Sequence, residues 1–475
     1  MRQPFLRILH LFIKEQTMKQ ILYLVFILTN TMLMAQSQHI DQKWKEVDKE
    51  LESGQFKSIQ PKIDVIKDLS RKGNNEPSYL KALFYESKIK VVTSDEKDDV
   101  NFVFDLFKKE LNGKSKVNDA IVNSYLAQLY SLYFDENRWK IQGRTNVENQ
   151  STNDVRFWTE DTFHKTINNY FEKSIAPKNE LIATKAINYK LILNISDELK
   201  TANKQLDITP TVYDILVNEY INYLNTDGQQ NKVNAFYSDL SSINKNSNHL
   251  NAVLYNELNL LNAKRSTLSS DEFIKQKEAL AKKYPNAWYS AYVYLSLATD
   301  LYALQDNKLE NINHIFVIQK IVAQTYSDTT EKNAIDSLVE KIKSKEFSVD
   351  AEKYISANQN TPIKVSHKNF DKIYVKVLAY NVGFDKDSKQ KALYVYNDDN
   401  VKKAQEFLDS LKEIEEYSID LKLFDDYQFH STVVKLNPLV NGRYIVLFSN
   451  DPSFKIAKKE DIDYIDIAVS NYALN

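Results

Sequence analysis

Two periods of apolar residues divide the chain into two regions. In the C-terminal part, apolar side chains recur at every second position, as at Ile373, Val375 and Val377, which is the period of a half-buried strand. The same character predicts three more strands, at 430–436, 443–449 and 464–470. Segment 437–442, Asn-Pro-Leu-Val-Asn-Gly, has turn-forming residues and predicts a hairpin between the strands on either side. We expect an antiparallel β-sandwich over residues 361–475.

From about residue 41 to 345 the period is that of α-helices. Trp44 and Val47 share one helical face, and Ile59, Ile63 and Ile66 share the next. Short amphipathic helices joined by polar turns are typical of a solenoid such as a tetratricopeptide array. Because no strict repeat length is kept, the sequence predicts an irregular α-helical, TPR-like solenoid over residues 36–350.

Two further elements complete the predicted α+β multidomain architecture. Segment 346–359 is polar and predicts a joint between the two domains. Inside the β region, a helical insert is predicted from a set of apolar residues on one face: Val401, Ala404, Phe407, Leu408, Leu411 and Ile414.

The first 35 residues predict a secretory signal peptide. Lys19 precedes the apolar run 21–28, and Ala35 offers a small residue before the expected cleavage site. Met18 is the alternative start, since a typical signal peptide would begin there. An uncleaved membrane anchor is the competing interpretation, but the apolar run is shorter than the roughly 20 residues that a span needs. We therefore expect a periplasmic or secreted protein with no integral membrane segment after cleavage.

Composition excludes several classes of function. The 475 residues exceed a typical single domain, and 62 basic against 64 acidic residues leave no basic footprint for nucleic acid. With Gly at only 7 positions, the sequence has no glycine-rich phosphate or dinucleotide loop, so no cofactor is expected. The absence of cysteine excludes disulfides, cysteine nucleophiles and thiolate metal sites.

The histidines and carboxylates give only weak candidates for chemistry. None of the seven histidines has a metal-ligand spacing, although His367 and His430 lie on predicted strands where they could meet. Asp461, Asp463 and Asp466 suggest calcium, but their alternation with isoleucines favours a solvated strand face. Carboxylates at 413, 415 and 416 are assigned to the polar side of the insert helix. No metal or catalytic site is therefore predicted.

The long interruption 135–154 contains the favoured contact residues. Arg138, Trp139 and Arg144 are of the types that dominate interface hot spots, and long loops are often functional. The competing interpretation is that Trp139 packs the loop onto the helices while the arginines pair with local acids.

Several short motifs carry a family resemblance. The series Tyr374-Val-Lys-Val377, Asp426-Tyr-Gln-Phe-His-Ser-Thr432 and Asn441-Gly-Arg-Tyr-Ile-Val-Leu-Phe-Ser-Asn450 resembles the first macroglobulin domain of bacterial alpha-2-macroglobulin proteins. In the large version from Gram-negative bacteria, a long helical segment precedes that domain. Similar segments of that helical part are Asn137-Arg-Trp139 with Arg144-Thr145, Thr209-Pro-Thr-Val-Tyr-Asp214 and Tyr284-Pro-Asn286.

The resemblance implies an exported endopeptidase inhibitor that presents a bait segment, is cut and closes around the protease. This chain would supply the helical platform and the first β domain, without the bait, and without a thioester because it has no cysteine. Its partners would be proteases or envelope proteins. The closing segment 467–475 resembles the last strand of the domain, so we expect a fragment of a longer protein, with a true terminus as the alternative.

Two other functions compete with this one. The first is a self-contained exported helical-repeat adaptor that binds protein partners on its solenoid. The second is a hydrolase on an unfamiliar scaffold, which no nucleophile–base constellation supports. We therefore expect a protein that is not an enzyme.

Overall fold

A computed structural model describes most of the chain beyond residue 37. The described residues are 38–52, 56–72, 75–93, 101–113, 115–145, 153–190, 192–193, 199–306, 308–326, 329–379, 401–456 and 461–471. The predicted signal peptide lies outside them. The chain divides into two compact units, Met1–Ser290 and Ala291–Asn475.

The first unit is helical. Its helices are α1 Gln38–Glu52, α2 Phe56–Lys72, α3 Glu76–Thr93, α4 Asn101–Lys108, α5 Lys116–Ile141, α6 Glu160–Ile175, α7 Lys178–Ala183, α8 Leu199–Ile208, α9 Val212–Thr226, α10 Gln230–Asn246, α11 Leu250–Ala263 and α12 Ser270–Lys283. Two 3-10 turns, Val155–Phe157 and Ala186–Tyr189, lie between them. Helix α13, Tyr289–Ala303, begins at the end of this unit and continues into the second.

Side-chain caps begin several of these helices where the sequence changes from polar to apolar. Thr211 and Asp214 form a capping box at the start of α9, in which each side chain accepts a hydrogen bond from the other's backbone amide. Ser115 caps α5 and Ser269 caps α12 in the simpler way, each accepting from an amide three residues later. These caps satisfy amide groups that the helix itself leaves unpaired.

Aromatic side chains fill the core of the first unit. Tyr130 of α5 stacks on Phe104 with 4.1 Å between ring centroids and on Tyr170 of α6 with 5.6 Å. Farther along α5, Phe134 contacts Phe163, near the start of α6. Later residues of α5 therefore contact earlier residues of α6, so the two helices are antiparallel. The end of α5 therefore lies beside the beginning of α6.

The second unit combines helices with a β domain. Its other elements are α14 Lys308–Thr325, α15 Thr330–Lys343, β1 Glu346–Asp350, β2 Tyr354–Ile355, β3 Thr361–Lys368, β4 Lys372–Ala379, α16 Val401–Asp409, β5 Lys412–Asp420, β6 His430–Leu436, β7 Gly442–Ser449 and β8 Ile462–Val469. One sheet has the order β1-β3-β6 and the other β2-β8-β7-β4-β5. All pairings are antiparallel except that of β2 with β8. A helical region followed by a mainly antiparallel β domain confirms the predicted α+β class.

Apolar layers cover both faces of the five-stranded sheet. Val446 and Phe448 of β7 belong to a core shared with Ile363 and Val365 of the three-stranded sheet. Ile445 and Leu447, on the opposite face of β7, pack with Phe407 and Leu408 of α16. Burial on two faces explains why the sequence of β7 is a continuous apolar run, whereas β3 alternates.

The helical insert is shorter than predicted, and a strand follows it. Helix α16 ends at Asp409, and Ile414 lies on β5, where 46% of its surface is exposed. The glutamate-rich residues of β5 adopt an extended conformation by pairing with β4, where Lys376 forms ion pairs with Glu413 and Glu416. The prediction that these carboxylates lie on a helix was therefore wrong.

Two predicted connections also differ from the structure. Segment 437–442 joins strands of different sheets, β6 and β7, so the predicted hairpin was wrong. Segment 346–359 contains β1 and β2 and is not a simple joint. Strand β1 has only five residues and is defined by its pairing with β3, a long-range contact that a local pattern does not show.

Candidate functional site

The predicted contact residues lie where α5 ends and α6 begins. The prediction of a loop from residue 135 was wrong in its first part, because α5 continues to Ile141. The amide of Gln142 closes the last turn by donating to the carbonyl of Arg138 at 2.8 Å, and Gly143 then has a φ of 85°. Arg138 and Trp139 are thus helical residues, and Arg144 follows the helix. Residues 146–152 of the predicted loop lie outside the described part.

Trp139 is the most exposed tryptophan side chain at this end of the helices. Its surface is 74% exposed, and the ammonium of Lys140 lies 5.0 Å from its ring centroid. The competing interpretation, that Trp139 packs onto the helices, does not fit this exposure. Burying such a ring on a partner would remove a large apolar area from water.

The two predicted arginines have different local partners. Arg138 forms an ion pair with Asp135 at 2.8 Å and lies over the ring of Phe134. Arg144 instead donates from Nη1 to the carbonyls of Arg156 at 2.8 Å and Trp158 at 3.1 Å. It thereby fixes the segment after α5 to the 3-10 turn that precedes α6.

That 3-10 turn carries a second exposed ring. Phe157 is 68% exposed, whereas Val155 beside it is buried. The carboxylate of Asp154 caps the turn and forms a two-pronged ion pair with Arg156, which holds its pKa well below the ordinary value. Sequence reasoning missed Phe157; the capping Asp154 three residues earlier was the available signal. We call Trp139, Lys140, Arg144 and Phe157 the hairpin-end surface.

A polar network lies on α6 and α9 next to this end. The imidazole of His164 contacts the Phe134 ring, and its Nδ1 lies 2.8 Å from the hydroxyl of Tyr223 and 3.4 Å from Asp227. Asn168 also donates to the Tyr223 hydroxyl, and burial raises the pKa of that hydroxyl. Each group has a partner within the network, an arrangement that joins helices. Sequence reasoning missed this network because its members are far apart in the chain.

The β-domain histidines do meet. His367 and His430 are opposite each other in the pairing of β3 with β6. His430 contacts Asp426 at 2.8 Å and stacks on Phe424, while His367 is buried and burial lowers its pKa. Within the described residues, no group of three or more histidine or acidic side chains is suited to hold a metal ion.

The acidic residues near β8 have protein partners. Asp466 forms an ion pair with Arg443 of β7, and Asp463 accepts a hydrogen bond from the amide of Val349 in β1. Their carboxylates therefore join neighbouring strands. Among all the residues that the structure describes, no helix is long and apolar enough to cross a membrane.

Comparisons with known proteins give no family. No protein-family model matches the chain, and no curated protein is significantly similar to it. Among solved structures, the CARDB domain of the PF1109 protein from Pyrococcus furiosus, in complex with di-metal ions, is similar to part of the chain. The similarity covers 27% of this chain and 88% of that domain, with 8% identity and a TM-score of 0.16. A similarity this weak carries no argument about fold or function.

Proposed function

We propose that this chain is a non-catalytic scaffold that binds a protein partner through the hairpin-end surface. The observation that carries the proposal is the 74% exposure of Trp139, five residues before an arginine whose position two backbone carbonyls fix. Tryptophan and arginine are the residue types most enriched at binding hot spots, and a fixed side chain loses little entropy on binding.

The resemblance to alpha-2-macroglobulin proteins supports a more specific form of the proposal. In this form, the chain is the N-terminal portion of an exported endopeptidase inhibitor, and its helices and first macroglobulin-like domain act as a platform. The motif Asn137-Arg-Trp139 with Arg144-Thr145 belongs to the resemblance. Arg138 and Trp139 lie near the end of α5, and Arg144 follows it. Binding to a protease or an envelope protein would be the task of this portion.

A photo-crosslinking experiment tests the binding surface. The photoreactive residue p-benzoyl-phenylalanine replaces Gln142, which is exposed next to the surface and leaves Trp139 intact. Irradiation of the source cells should give a protein adduct. Trp139→Ala should reduce its yield by about tenfold or more, since hot-spot truncations cost about 2 kcal/mol. Tyr354→Ala, which removes an equally exposed ring (75%) from the other unit, is the matched control.

Absence of a protein adduct, or an equal loss in both alanine variants, would contradict the binding proposal. A separate measurement distinguishes the inhibitor from a self-contained adaptor. An immunoblot of the source cells with antibody to this chain should give a band far above 55.3 kDa if the chain is part of a longer inhibitor. A single band near that mass, with a stoichiometric partner and no effect on any protease, would instead favour the adaptor.

A further inference from the structure

Two positive charges of the hairpin-end surface have no acid paired with them among the described residues. Residues 137–145 include three basic side chains and no acidic one. Arg138 is offset by Asp135, and Arg156 by Asp154. Lys140 and Arg144 have no carboxylate within ion-pair distance among the residues that the structure describes. In the described part of the chain, two positive charges therefore remain unpaired, and that of Lys140 lies beside the exposed Trp139 ring.

The half-buried Glu136, two residues before Arg138 on α5, does little to reduce this charge. Burial, with a smaller effect of the neighbouring Asp135 charge, raises the pKa of Glu136 to about 7. A large fraction of Glu136 is therefore protonated near neutral pH. At the start of α6, Glu160 and Asp161 already face His164 and Lys165 respectively.

Arg144 is oriented to receive a carboxylate. Its two backbone acceptors use Nη1, so Nε and Nη2 have no acceptor among the described residues, on a guanidinium that two hydrogen bonds hold in place. A guanidinium edge with two donors matches the two oxygens of a carboxylate. Lys140, whose ammonium lies 5.0 Å from the centroid of the Trp139 ring, adds a second positive charge at this end of α5.

We infer that the partner segment of this surface is an acidic polypeptide in which carboxylates flank an apolar side chain. The apolar side chain packs on Trp139, and the carboxylates meet Lys140 beside that ring and Arg144 after the end of the helix. This inference rests on the proposed function, because it assigns the chemistry of the partner at the same surface. An anionic membrane fits less well, since lipid-binding segments typically cluster about four to eight basic residues.

The photo-adduct at position 142 provides the test. The crosslinked partner peptide, identified by mass spectrometry, should have a net negative charge and at least one apolar residue. Lys140→Glu should lower the adduct yield by about tenfold, because it places a like charge against the partner. Arg144→Lys keeps the charge but loses the two-donor geometry together with the contacts to the carbonyls of Arg156 and Trp158, and a smaller, severalfold loss is expected.

Lys165→Glu is the matched control, because Lys165 is also exposed and lies on the adjacent helix, where it pairs with Asp161. Its adduct yield should stay within about twofold of the parent. Circular dichroism checks that each variant is folded. A protein adduct on a neutral or basic segment, or one that Lys140→Glu leaves unchanged, would overturn this inference while the proposed binding function stands. Adducts to lipid alone, or no adduct, would remove the binding function as well.

Discussion

At the scale of single residues, partners decide what each charged side chain does. Arg138 and Arg144 are six residues apart and of the same type, but one meets a surface carboxylate and the other two backbone carbonyls. An exposed ion pair contributes little to stability, because water solvates and screens both charges whether or not they are paired. A guanidinium that satisfies two carbonyls fixes a chain segment, so its loss affects the fold locally.

Arg144→Ala should therefore destabilise the first unit by about 2 kcal/mol, whereas Arg138→Ala should change its free energy of unfolding by less than about 0.5 kcal/mol. Urea unfolding followed by tryptophan fluorescence measures both, since Trp158 supplies one of the carbonyls. Equal effects of the two substitutions would show that the carbonyl contacts contribute nothing.

Glu219 on α9 gives a pH-dependent prediction. Burial raises the pKa of its carboxyl from 4.5 to about 7. The folded chain then binds this proton more tightly than the unfolded chain, so the free energy of unfolding falls as pH rises from about 4.5 through 7. Glu219→Gln removes this partly buried charge and should raise the free energy of unfolding at pH 8 by about 1 kcal/mol. This is less than the full pKa shift implies, because the side chain is partly exposed and water screens its charge.

The same substitution should have almost no effect at pH 4, where the carboxyl is mostly neutral in both states. Glu180→Gln is the control, because the hydrogen bond from Lys116 lowers the pKa of Glu180. That variant should gain nothing at pH 8. Denaturant unfolding at the two pH values decides, and a Glu219→Gln variant that is no more stable at pH 8 would refute the argument.

At the scale of elements, helix starts depend on how deeply their caps are buried. The Asp214 carboxylate accepts from the Thr211 amide at 3.0 Å and from Asn244 of α10 at 2.7 Å, and Asp214 is only 2% exposed. Ser269 caps α12 in an exposed position. A buried cap leaves its donors unpaired when it is removed, whereas water replaces an exposed one.

Asp214→Ala should cost about 3 kcal/mol, because it leaves several buried donors without acceptors. Ser269→Ala should cost about 1 kcal/mol, the usual value for an exposed cap. Thermal unfolding of the two variants gives the comparison. The difference should be visible as faster hydrogen exchange in both α9 and α10 for Asp214→Ala, and in α12 alone for Ser269→Ala.

At the scale of the whole molecule, the second unit includes helices as well as strands. Lys368 of β3 is 6% exposed, and its ammonium donates to the carbonyl of Lys341 in α15 at 2.9 Å and to Glu346 at 2.7 Å. Asn369, at a φ of 65°, donates to the carbonyls of Ile342 and Ser344. Tyr427 contacts Phe316 of α14. These contacts join the β domain to α14 and α15.

A fragment of residues 286–475 should therefore unfold in one cooperative transition, while a fragment of residues 345–475 should be markedly less stable, because Lys368 and Asn369 lose acceptors in α15. Calorimetry of the two fragments measures this. Equal melting temperatures would mean that the helices add nothing to the β domain.

Export is a separate expectation for the whole molecule. The apolar run after Lys19 predicts cleavage by signal peptidase next to Ala35. Mass spectrometry of the protein from the source cells should find a mature chain that starts at Gln36 or within a few residues of it. A chain that retains Met18 would contradict the prediction.

The sequence by itself determined the helical region, the strands β4, β6, β7 and β8, and the α+β class. Each of these has one or two buried faces, so the period of its apolar residues follows directly from local geometry. The start of α9 at Thr211 depends on local sequence too, because the cap and the amide it satisfies are only three residues apart.

Only the tertiary structure decided which strands pair and which side chains stay exposed. Strand β5 is a charged segment whose conformation depends on Lys376 and the rest of β4. Strands β6 and β7 belong to different sheets, although a separation of six residues suggests a hairpin. The same holds for Trp139, since an aromatic residue in a polar stretch is as compatible with packing as with exposure. Pairing and burial depend on residues distant in the chain, and a local pattern contains no information about them.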